Sequence, residues 1–238
     1  MKPAFYALRS GGWRDYVTML HLPYTAWHLA YVVVGGCLAP VVAWGRLGLT
    51  VLAFALAMGV GAHALDELNG RPLGTELRAG VLIGLAVASV AAACAIGIAV
   101  AVSFSLWLLP FVVAGAFLVP AYNLELLGGR FHSDLWFALA WGAFPVLTGY
   151  VACAGALRGE ALAAAAWATV LSLAQRRLST PARRARRRMK DVRGEIVLVD
   201  GGREPVTRES LVAAPEAALR LLTAATVILA AALVLMRI

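Results

Sequence analysis

Seven apolar runs divide the chain, roughly at 20–44, 47–65, 79–101, 104–121, 135–156, 160–175 and 218–236. A helix crosses the hydrocarbon core of a bilayer with about 20 apolar residues. Backbone in lipid must satisfy its own hydrogen bonds, which favours helices. The pattern therefore predicts an all-α, polytopic transmembrane helix bundle of about seven spans, forming a single domain over 1–238. The longest polar stretch, 176–217, is expected as a basic loop with some structure of its own. In "LSTPARRARRRMK", Ser179 or Thr180 suits an N-cap and Pro181 a first helical position, which predicts a short surface helix. "EIVLVDGGREPVT" has an apolar run, an Asp-Gly turn and a return strand, the pattern of a small β-hairpin. "APEAALRLL" restarts a helix at Pro215.

Composition agrees with the runs. The chain is 61% hydrophobic and 14% charged, where soluble domains sit nearer half and a quarter. Charge then orients the bundle. Alternation places the N-terminus and loops 66–78, 122–134 and 176–217 on one side. That side holds every one of the 21 Lys and Arg residues except Arg46, Arg158 and Arg237. The positive-inside rule makes it cytoplasmic and the protein a multi-pass component of the cell membrane. Nine Lys or Arg residues lie between Arg176 and Arg193. Beside membrane spans such a cluster reads as a topology signal first and a contact for anionic lipid second; nucleic acid is not an expected partner. The first residues lack the pattern of a cleavable signal peptide. Cys37, Cys94 and Cys153 lie in apolar runs without metal spacing and read as small buried hydrophobes. Pro110 and Pro145 lie inside spans and predict kinks or local widening. Trp13, Trp27, Trp44, Trp107 and Trp136 fall near span ends and read as interface anchors, while Trp141 and Trp167 sit deeper.

Three edges on the same side carry unusual polar groups: "HALDELNGRPL", "YNLELLGGRFHSD" and "AQRRLSTPARRARRR". Ionisable groups at membrane depth usually face a cavity or a partner. On a helix, His63 shares a face with Asp66 and Glu67, but Asp66 and Glu67 themselves diverge by about 100°. Asp66, Glu67 and Glu125 on two helices make an oxygen-rich set suited to Mg²⁺, an ion typically held by one or two carboxylates and substrate phosphates. Arg71, Arg130, Arg176 and Arg177 are placed to grip phosphate oxygens, with Asn123, His132 and Asp134 nearby in sequence or by alternation. Two other readings use the same residues. His63, Glu67, Glu125, His132 and Asp134 form a mixed His and carboxylate set that suits a transition metal. Alternatively the edges are solvated turns of a non-catalytic lipid-binding protein. His21 and His28, at the start of the first span, read as interfacial or packed side chains rather than ligands.

At these residues the chain resembles the UbiA superfamily of intramembrane prenyltransferases. "LHLPYTAWHLAYVVVGGCLAP" resembles that family's first helix, and "HALDELNGRPL" its first aspartate-rich motif. "YNLELLGGRFHSDLWFALAWGAFPVLTGYVA" resembles its stretch from the fourth helix to the fifth. The resemblance spans about 15–155 and implies a helical bundle around a lipid-facing cavity. It implies a prenyl diphosphate bound through Mg²⁺, ionised at its allylic C–O bond, and captured by an acceptor. In some relatives the cation closes on itself, as in terpene cyclases. It assigns catalytic roles to Asp66 and Tyr122 and a phosphate contact to Arg71. The family's second aspartate motif has no counterpart, because "LAQRRLSTPARRARRR" stands in its place. Either Glu67 and Glu125 supply the missing carboxylates, or arginines bind the diphosphate directly.

Overall fold

The computed structural model describes residues 2–238. Its helices are α1 (Trp13–Met19), α2 (Leu22–Leu38), α3 (Trp44–Leu68), α4 (Ala79–Ser103), α5 (Leu106–Asn123), α6 (Asp134–Ala154), α7 (Gly159–Arg187) and α8 (Arg208–Leu235). A two-stranded antiparallel hairpin, β1 (Glu195–Val197) and β2 (Arg203–Pro205), interrupts the order between α7 and α8. Five helices, α3, α4, α5, α6 and α8, are long and apolar enough to cross a membrane. α2 has 17 residues, and the last turns of α7 are arginine-rich.

Helix α2 forms the centre and packs against α6 and α8. Small residues permit the contact. A Cβ on Gly35 would stand 2.0 Å from the Val146 carbonyl oxygen, and one on Gly149 would stand 2.1 Å from that of Val32. Backbones meet directly there, which is how helices associate where apolar burial supplies little drive. Trp27 and Tyr31 of α2 are fully buried among Val146, Ala168 and Leu219. The interface role read for Trp27 is thus corrected: its Nε1 donates to the Tyr31 hydroxyl at 2.7 Å. Trp13 and Trp107 are exposed, as anchors would be.

Two helices widen in mid-course. α3 is π-helical over Ala55–Ala62 and α6 over Leu139–Ala143. The second follows from Pro145, which has no N–H for the carbonyl of Trp141 four residues earlier. The widening predicted for Pro145 is therefore present, just ahead of it.

Two boundaries differ from expectation. Pro181 does not start a helix; α7 runs unbroken to Arg187. The Ser179 and Thr180 hydroxyls donate back to the Arg176 carbonyl, so they serve the turn before them rather than cap the one after. α8 starts at Arg208 instead of Pro215, where Thr207 and Ser210 exchange reciprocal capping bonds. The hairpin forms as expected: Asp200 Oδ1 accepts from Gly202 N at 2.9 Å in the turn. Beside it, Arg186 and Glu216 form a two-pronged ion pair tying α7 to α8.

Candidate functional site

The loop after α3 decides how Asp66 and Glu67 point. Glu67 is 1% exposed. Its Oε2 accepts from Leu73 N at 3.0 Å, and its Oε1 accepts from Thr75 N at 2.8 Å and Thr75 Oγ1 at 2.9 Å. These bonds fold residues 69–78 back onto the helix. Arg71 serves the same loop, donating to the carbonyls of Thr75 and Leu77. Asp66, one residue earlier, faces the other way and lines a polar pocket of about 750 Å³ of empty space. No hydrogen bond to its carboxylate exists among the described residues.

The pocket gathers side chains from most of the chain. All four histidines, His21, His28, His63 and His132, are in its wall. Tyr6, Tyr24 and Tyr122 join them, with Asn123 from the end of α5. Three of the imidazoles are anchored alike. Nδ1 of His28 bonds the Trp141 carbonyl at 2.7 Å, that of His63 the Gly59 carbonyl at 3.1 Å, and that of His132 the Tyr122 carbonyl at 3.0 Å. A carbonyl can only accept, so each Nδ1 carries the proton and a neutral ring keeps its lone pair on Nε2. The Trp141 carbonyl is the one Pro145 releases, and the Gly59 carbonyl lies in the other π-helical stretch. His21 and His63 stack with centroids 4.1 Å apart, as do Tyr122 and His132 at 4.5 Å.

Helix α7 supplies the charge. Gln175, Ser179, Arg183 and Arg187 recur every fourth residue and line the pocket with Arg176, because residues four apart share a helix face. Arg176 Nε donates to Asp134 Oδ1 at 2.9 Å, and Arg187 Nε to the Pro3 carbonyl at 3.2 Å. Arg183 has no hydrogen bond or ion pair among the described residues. Gln175 is 3% exposed, and its Oε1 is buried without a partner.

A second, apolar chamber of about 820 Å³ of empty space lies between α3, α4, α5 and α6. Its wall includes Phe54, Val90, Cys94, Phe111 and Phe144. Met58 and Trp141 line both hollows and are the wall between them.

The structure thus brings together Asp66, His63, Tyr122, Asn123, His132 and Arg176 of the sequence-expected site. It does not bring in the rest. Glu67 and Arg71 are engaged in the loop. Glu125, at a positive φ of 52°, has a half-exposed side chain 4.0 Å from His132 Nδ1 and is not in the pocket wall. Arg130 and Arg177 are exposed, and Asp134 stands behind Arg176. Asp66, Glu67 and Glu125 therefore do not fit a shared Mg²⁺ site. Among the described residues no group of three or more His, Cys, Asp or Glu could hold a metal ion. His21 and His28, read as interfacial or packed side chains, are buried in this wall; Tyr6, Tyr24, Gln175, Arg183 and Arg187 were not anticipated, and the four-residue ladder is the signal that marks the last three. Comparison with protein-family models, with curated proteins and with solved structures gave no significant match.

Proposed function

We propose that this protein is a membrane enzyme of UbiA type that binds a prenyl diphosphate and ionises it. In this reading the seven long helical runs, α2 and α7 included, are spans, and the arginine-rich edge is cytoplasmic. The observation that carries the proposal is the shared wall of Met58 and Trp141. It sets a cationic, hydroxyl-rich pocket directly against an apolar chamber, the two halves an amphiphile with an anionic head requires. The headgroup lies among the α7 arginines, and the isoprenoid tail extends past Trp141 toward Phe54, Phe111 and Phe144.

Ionisation breaks the allylic C–O bond, and the electron pair leaves with the diphosphate. Guanidiniums aimed at the leaving group strengthen as its charge grows. Trp141, at the junction, offers an aromatic face to the cation, and the apolar chamber excludes water. His28 is held by its Nδ1–H on Trp141, and its free Nε2 accepts the proton released when the cation is captured or closes on itself. Transfer to an acceptor is the leading outcome and cyclisation the alternative.

The test incubates the purified chain in lipid nanodiscs with prenyl diphosphates of several lengths and measures released pyrophosphate and extracted lipid products. Release with a prenylated or cyclised product is expected. Gly115→Leu, which projects into the chamber beside Phe144, should shorten the preferred chain. Binding with no release by the wild type would overturn the catalytic reading in favour of a carrier.

A further inference from the structure

We infer that the polar pocket holds its diphosphate without a divalent cation, meeting the charge with Arg176, Arg183 and Arg187. This rests on the pocket being the phosphate site proposed above. A magnesium site asks for oxygen ligands, usually one or two carboxylates and the phosphates themselves. Among the described residues only Asp66 offers a carboxylate to the pocket; Glu67 is held in the loop by three donors and Glu125 lies outside.

The α7 face offers the opposite chemistry. Arg183 and Arg187 stand one turn apart, an arrangement of like charges that is unfavourable by itself and is relieved by an anion between them. Arg183 has no N–H partner among the described residues. Among the described residues Arg176 and Arg187 each bind protein through Nε alone, so their terminal nitrogens remain to form paired bonds to phosphate oxygens. Gln175, buried in the same wall with its Oε1 unpartnered, adds a neutral amide. Asp66 is then the pocket's single opposing charge. It is the carboxylate that shares the pocket wall with Arg183 and Arg187.

The two schemes predict opposite signs at Asp66. A cation bridge needs the carboxylate, whereas direct arginine binding is opposed by it. Titration calorimetry on the full chain in phosphatidylcholine nanodiscs, with inorganic pyrophosphate and with farnesyl thiolodiphosphate, which resists ionisation, separates them. In excess chelator the affinity should stay within about threefold of that in Mg²⁺. Asp66→Asn should bind as tightly or more tightly in chelator. Arg183→Gln should lose roughly 30-fold under both conditions, and Arg183→Lys should recover part of it; Arg203→Gln on the hairpin is the unchanged control. Melting curves for each variant verify folding. Binding that requires Mg²⁺, or that Asp66→Asn abolishes, overturns this inference and leaves the proposed function intact. No binding with or without the cation overturns both.

Discussion

Arg46 and Arg237 at one end of the bundle contrast with Arg183 at the other. At the end opposite the polar pocket, Arg46 donates to the carbonyls of Ala152 and Cys153 at 2.8 and 3.3 Å, and its guanidinium lies 3.6 Å from the Phe104 ring centroid. Arg237 donates to the carbonyls of Cys37 and Ala39 at 2.9 and 3.3 Å. Each satisfies orphan carbonyls at a helix C-terminus, of α6 and α2 respectively. At the pocket end, Arg183 is half-buried and has no bonding partner among the described residues. A guanidinium that closes a helix end serves the fold, and one left open inside a pocket serves the ligand in the proposed reading. The same contrast separates Asp66, which is open, from Glu67, which is satisfied.

Four substitutions sharpen or break this comparison. Glu67→Ala strands three buried donors and should lower stability most, by about 3 kcal/mol or more, read as a drop in melting temperature with faster proteolysis of 69–78. Arg183→Gln should leave the melting temperature unchanged or raise it while lowering phosphate affinity by about 2 kcal/mol; a matching loss of stability would make Arg183 a fold residue like Arg46. Arg46→Gln should destabilise by about 1.5 kcal/mol with ligand affinity unaltered. Glu125→Gln should shift both quantities by less than about 0.5 kcal/mol, and a larger effect on binding would return Glu125 to the site.

Hydropathy marked the long helices well because their ends coincide with polar loops. It failed where the determinant is not hydropathy. α7 continues past residue 175 as an arginine-rich ladder that keeps a pocket-lining face. α8 begins at a capping box, several residues before its apolar stretch. At the site, Asp66 was legible, but its adjacent partner was not, because the amides of Leu73 and Thr75 turn Glu67 away. His28 was legible as a packed side chain, but not its place in the pocket, which depends on a carbonyl more than a hundred residues later, released by Pro145. Arg183 and Arg187 were hidden by abundance: a dense basic run looks uniform until a helix sorts it into faces.

Lys2 and Pro3 offer their carbonyls to Arg186 and Arg187, and Tyr6 sits in the pocket wall. The start of the chain is therefore wired to the α7 arginines at the pocket. A bulky fusion there would tug on Arg187 and drag Tyr6 with it. Affinity handles and fluorophores belong at the opposite terminus, beyond Arg237, where they leave this mouth undisturbed.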